Sequence, residues 1–205
     1  MKTTHFLKKQ VLLACLLLGP LLQLIGDTLW LIRDYNYSWN IWREMSYIFF
    51  IPVGFLLAKL LERKSFVWAM IACALFVIGC FGVATMMPLF RLGGFYPTEG
   101  HYEFPVIVKS VLSEKGFAVT LFPPGLCFPV SLVVFGIGFL KYKILSKFLA
   151  VILIICGVLF WMGNAGEIEM AQIISDVLLL VTLCYTGYVI FNEHQPQSAV
   201  LQVQY

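Results

Sequence analysis

Asp27 and Asp176 each lie inside a long apolar run, at 10–32 and 168–191, and both have polar company at helical spacing. Gln23, Asp27, Trp30 and Asp34 follow at i, i+4, i+7 and i+11, and Glu169, Gln172 and Asp176 at i, i+3 and i+7. In an α-helix each set shares one face. No basic residue occurs in "GNAGEIEMAQIISDVLLL" (163–180), so the second set finds no neutralising partner in its own helix. Carboxyls in such surroundings bind a proton or a cation, or work as a general acid beside an ionised partner. Nearby aromatic faces add cation–π attraction for a positively charged ligand.

The candidate ligand-binding set is Asp27, Asp176, Glu169, Gln172, Gln23, Trp30, Asn164 and Arg91. In an enzyme, Asp176 would be the protonated general acid and Asp27 its ionised partner. Helical rise puts Asp176 about 13 Å from Glu167 and Asp27 about 9 Å from Arg33, so both fall in the same half of a bilayer. They meet only if the first and last helices are neighbours. Arg33, Arg43, Glu44, Arg91, Trp161 and Asn164 are expected at the level above them. A purely structural role is the alternative: Asp27 paired with Arg91 or Arg43, and Asp176 bonded to Gln23 or Ser175, holding helices together.

The elements that must position these residues follow from the whole chain. It is 60% hydrophobic and 12% charged over 205 residues. A soluble domain carries about 25% charge, so this chain cannot cover a surface facing water. Apolar runs at about 10–32, 45–61, 66–90, 117–140, 144–162 and 168–191 each approach the roughly 17–25 residues of a membrane-crossing helix. Strand alternation is absent, which argues against a β-barrel. The expected fold is an all-α, polytopic bundle of six transmembrane helices in a single domain, 1–205. "MKTTHFLKKQVLLACLLLGPLLQL" imitates a secretion signal, but its apolar run continues to Trp30 without a cleavage site and is expected to be the first span.

Orientation follows from lysine and arginine. With the N-terminus inside, nine basic residues (Lys2, Lys8, Lys9, Lys59, Arg63, Lys64, Lys141, Lys143, Lys147) face inward and five (Arg33, Arg43, Arg91, Lys109, Lys115) outward. That bias places both termini in the cytoplasm, and the expected location is a bacterial inner membrane. The small net charge of +3 reflects this asymmetry, so no nucleic-acid partner is implied.

Short connections at "LERKS", "KYKILSK" and "GNAGE" make the helices they join antiparallel neighbours. "RDYNYSWNIWRE" reads as an outward loop rich in interfacial aromatics. In the longer segment between the third and fourth runs, Phe104, Ile107, Val108, Val111 and Leu112 recur at helical spacing. They predict a short interfacial helix over about 100–116, lying as a lid across the outward mouth. Gly136-Ile137-Gly138 reads as a seam where the fourth helix approaches a neighbour closely.

Other chemistries find little support. The six cysteines fall inside the spans without CxxC spacing and read as small apolar residues. Glu99, His101 and Glu103 alternate as an extended metal site would, but one histidine and two acids in a loop make a weak ligand set. No cofactor or metal is expected. Nucleophile-elbow, phosphate-loop and dinucleotide motifs are absent. In topology alone the layout is similar to the substrate-binding membrane subunits of vitamin importers; no motif is shared, and no residue role follows.

Three functional readings remain. The first is a membrane binding or transport protein whose outward, acidic, aromatic-lined pocket takes a small cationic or amphiphilic ligand. The second is an intramembrane enzyme acting on a lipid or isoprenoid by carboxylate acid/base chemistry. The third is an assembly subunit whose acids pair with another membrane protein. All three have the lipid bilayer as their surroundings.

Overall fold

The computed structural model describes residues 2–32, 38–92, 97–98, 101–102, 115–165 and 168–192, and, among them, the side chains of 10–32, 41–85, 124–163 and 168–189. Six helices make up nearly all of it: α1 (Lys2–Leu31), α2 (Ser38–Glu62), α3 (Phe66–Leu92), α4 (Lys115–Tyr142), α5 (Lys147–Ala165) and α6 (Glu169–Asn192). Five contain stretches long and apolar enough to cross a membrane; in α5 the apolar stretch is Lys147–Gly163, at the short end of the spanning range. Pro97–Thr98 (β1) pairs antiparallel with His101–Tyr102 (β2) between α3 and α4.

One boundary differs from the sequence reading: α2 begins at Ser38, so Trp39–Glu44 are helical and not loop. The interfacial helix expected over about 100–116 falls mostly outside the described residues. His101–Tyr102 is a strand, Lys115 opens α4, and 103–114 lie outside the described residues.

The tight turns have local causes. Ser65 Oγ accepts the Trp68 N–H at 3.4 Å and Ser146 Oγ accepts the Leu149 N–H at 3.3 Å, capping the starts of α3 and α5. At the end of α4, Lys143 takes the left-handed conformation (φ 53°), and Ile144 N–H reaches back to the Phe139 carbonyl at 3.1 Å. Such a reversal usually uses glycine; here a lysine adopts it.

Contacts run in chain order around a closed ring: α1–α2, α2–α3, α3–α4, α4–α5, α5–α6 and finally α6–α1. Neighbours are antiparallel. Along α1 and α2, Gly19 meets Phe50, Gln23 meets Ser46 and Asp27 meets Arg43. Along α1 and α6, Leu16 meets Gly187 at one level and Asp27 meets Gln172 at another. The ends of α1, α3 and α5 therefore share one face of the bundle with the starts of α2, α4 and α6; this is called below the α1–α2 end.

The centre is filled by aromatic rings. Phe128 of α4 packs against Tyr47, Phe50, Phe76 and Phe160 with centroids 5.1–5.3 Å apart, bringing α2, α3, α4 and α5 onto one residue. Edge-on and tilted rings at this spacing attract beyond simple burial. Gly79 lets α3 approach the Phe128 backbone, since any Cβ there would collide with it. The expected glycine seam on α4 is present: Gly136 abuts Ala150 and Ile154 of α5, and Gly138 abuts Trp68 of α3.

The periphery is as apolar as the core. Phe148, Val67, Tyr188, Phe66, Val181 and Phe81 all stand more than half exposed, on α5, α3, α6, α3, α6 and α3 in turn. A continuous belt of this kind needs a lipid surrounding. The chain has the make-up of a helical, multi-pass membrane protein.

Candidate functional site: a buried carboxyl cluster at the α1–α2–α6 junction

Three helices bring the site together. α1 contributes Gln23 and Asp27, one turn apart; α2 contributes Arg43, Ser46 and Tyr47 on one face; α6 contributes Gln172 and Asp176, again one turn apart. All seven are buried, and Asp176 is 0% exposed. Asp27 lies four residues before the end of α1, so the cluster sits about 6 Å inside the α1–α2 end.

Asp27 is the hub. Arg43 Nε lies 2.8 Å from Asp27 Oδ1, while Oδ2 accepts Gln23 Nε2 at 2.8 Å and Gln172 Nε2 at 3.0 Å. The Ser46 hydroxyl lies 2.7 Å from both Gln23 Oε1 and the Arg43 backbone carbonyl. By occupying Oε1 it turns the Gln23 amide nitrogen toward Asp27. Asp27 thus has a guanidinium at one oxygen and two amide donors at the other.

Asp176 is served differently. It lies beside Asp27, and the two carboxyls share the Gln172 amide nitrogen. Gln172 Nε2 stands 3.5 Å from Oδ1, at the outer limit of a hydrogen bond, and Oδ2 is buried with no donor among the described residues. The neighbouring Tyr47 hydroxyl is likewise buried without a partner among the described residues. Ser175 donates to the Cys156 carbonyl at 2.9 Å, tying α6 to α5 beside the cluster. Gly163 of α5 leaves the space that Gln172 fills; a Cβ there would stand 2.7 Å from both Gln172 Cβ and Oε1.

No protein-family model, curated protein or solved structure matches this chain. The site must be read from its own geometry.

Of the residues singled out in the sequence, the structure joins Gln23, Asp27, Gln172 and Asp176 directly, because α1 and α6 are indeed adjacent. Trp30 is half-buried and packs against the apolar core, one turn beyond Asp27. Glu169 opens α6, half-buried and about 10 Å along the axis from Asp176. Arg91 and Asn164 belong to α3 and α5 by backbone, but their side chains lie outside those described, as do Glu99 and Glu103 altogether. Trp161 faces outward, 53% exposed, and does not wall the cluster. That wall is Tyr47, with Phe128 and Phe160 beyond it.

Arg43, Ser46 and Tyr47 complete the site. Sequence alone places Arg43 in an outward loop, as one possible partner of Asp27, and does not point to Ser46 or Tyr47. Their signal was present: Trp39, Trp42, Arg43, Ser46 and Tyr47 recur at i, i+3, i+4, i+7 and i+8 immediately after Ser38, a residue type favoured at helix starts.

Proposed function

We propose that this chain is a six-span integral membrane protein that binds or transports a small molecule at the α1–α2–α6 cluster, open toward the outer side, with both termini in the cytoplasm. The observation that carries the reading is Asp176: a fully buried carboxyl, in a helix without basic residues, that shares the Gln172 amide with a second carboxyl. Ionisable groups inside membrane helices are costly, and those that persist mark ligand or ion pathways. Structural glue needs no second acid, since Asp27, Arg43 and the two glutamines already satisfy one another.

Charge counting narrows the ligand. With both carboxyls ionised, two carboxylates against one guanidinium leave one negative charge, which a single positive charge, a ligand's in place of a proton, offsets. A small monocationic or amphiphilic molecule fits, its charged group at the carboxyls and its apolar part along Tyr47 and Trp30. Native mass spectrometry on protein purified in lipid nanodiscs tests this. A retained small molecule in the wild type that is lost in Asp176→Asn supports the reading. A wild-type spectrum carrying lipid alone overturns it.

The enzyme reading draws on one observation of its own. Asp27 is supplied with donors whereas Asp176 Oδ2 has none among the described residues, the asymmetry that separates an ionised partner from a general acid. A lipid converted during incubation with the purified protein, and unchanged with Asp176→Asn, would select it.

A further inference from the structure

We propose that Asp27 and Asp176 hold one exchangeable proton between them, and that this proton latches α6 to α1 where the ring of helices closes. The inference rests on reading the cluster as the functional site, and names the proton as a ligand of it.

The argument begins from hydrogen-bond supply. Two carboxylates in contact offer each other only lone pairs, so a direct bond between them requires a proton. Asp27 is served at both oxygens: the Arg43 guanidinium pairs with Oδ1, and Gln23 and Gln172 donate to Oδ2. Asp176 Oδ2 is buried and has none among the described residues. The proton therefore belongs on Asp176, whose O–H donates to Asp27. Arg43 then balances Asp27, and the cluster is neutral. Burying two like charges side by side is costly, and one shared proton removes that cost.

A second feature makes the proton consequential. Gln172 Nε2 stands 3.0 Å from Asp27 Oδ2 and 3.5 Å from Asp176 Oδ1. The shorter bond crosses between helices; the longer one stays within α6. When the Asp176 O–H releases its proton to solvent, the new carboxylate competes for the Gln172 amide and repels Asp27. The two polar links from α6 to α1 weaken together. Arg43 and Gln172 retain 8% and 7% exposure, which gives the buried pair a short route to the surface.

The groups that face Asp176 are named by helix. Asp27 approaches from α1, Arg43 and Tyr47 from α2, and Cys156 from α5. Glu169 lies on its own helix, two turns nearer the α1–α2 end, and Glu44 is beside Arg43 on α2. Arg43 is the cation among the described groups that act on Asp176, and it already serves Asp27.

Infrared difference spectroscopy on the full chain in nanodiscs, with no ligand added, tests the proposal. The expected result is a carboxylic C=O band that shifts in deuterium oxide and with ¹³C-aspartate labelling of the wild type. It should vanish in Asp176→Asn and persist in Glu62→Gln, a carboxyl at the far end of α2. As pH rises and the band is lost, amide hydrogen exchange should increase in α1 and α6 and stay constant in α3 and α4. Three results would overturn the proposal: no aspartate-derived band at any pH where the chain is folded; a band that sodium removes at constant pH; or loss of the band with unchanged exchange in α1 and α6. The labelled wild type keeps the test valid even if a variant misfolds. An absent band leaves small-molecule binding standing, and an empty native mass spectrum beside a titrating band does the reverse.

Discussion

The α3–α4 and α1–α6 seams close the same ring by opposite means. At α3–α4, Gly79 admits the Phe128 backbone, Gly82 admits Pro124 and Gly125, and the Trp68 indole N–H donates to the Val134 carbonyl at 3.0 Å. The Lys141 ammonium of α4 lies 5.4 Å from the Trp68 ring centroid, but no carboxyl takes part in this seam among the described residues. At α1–α6, Gly187 lies against Leu13 and Leu16, but the level of Asp27 is held by carboxyls and a shared amide. A packed seam is made once and does not respond to its surroundings, because dispersion contacts have no second state. A polar seam costs desolvation to build and is repaid only while its protonation is right. The first seam is fixed by shape; the second depends on the state of its carboxyls.

Five substitutions and one double variant would break or sharpen that contrast. Phe128→Ala should have the largest effect, because the ring it removes contacts four others; a loss of about 3–5 kcal/mol in thermal or denaturant unfolding is expected. Arg43→Met comes next, at about 3 kcal/mol or more, since it leaves two carboxyls without their cation. Adding Asp27→Leu should recover most of that stability while ligand retention stays lost; failure to recover would mean that the ion pair itself holds the seam. Gly79→Ala should cost about 1–3 kcal/mol by forcing α3 away from α4, with binding per folded molecule intact. Asp176→Asn should change stability by about 1 kcal/mol or less and abolish ligand retention. Full retention in that variant would reduce the polar seam to packing of another kind. Smallest of all, Thr182→Val should be neutral or slightly stabilising, because the Thr182 hydroxyl is buried without a partner among the described residues.

Helix number and pairing were legible because apolar runs of spanning length alternate with short polar connections, and short connections leave few ways to fold back. The aspartate stripes were legible for the same reason that they are functional candidates: a carboxyl in an apolar run violates the local pattern. Ring closure was not. Asp27 and Gln172 are 145 residues apart, and no periodicity within α1 or α6 states that these two helices touch. Arg43 was obscured by its surroundings, since the aromatics and charges around it have an interfacial composition while their spacing is helical. Tyr47 was hidden differently. Its ring belongs to the Phe128 core and its hydroxyl borders the charges, so composition counts it as one more aromatic.

The pairing of Asp27 with Arg43 also bears on how the chain enters a bilayer. α1 and α2 precede α6 in the chain, and the hairpin they form already holds Asp27, Arg43, Gln23 and Ser46 in mutual contact. Asp176 comes later and has no cation on its own helix. A carboxyl without a counter-charge is costly to place in a bilayer, so an order of insertion in which the α1–α2 hairpin is in place before α6 would give Asp176 polar groups to dock on.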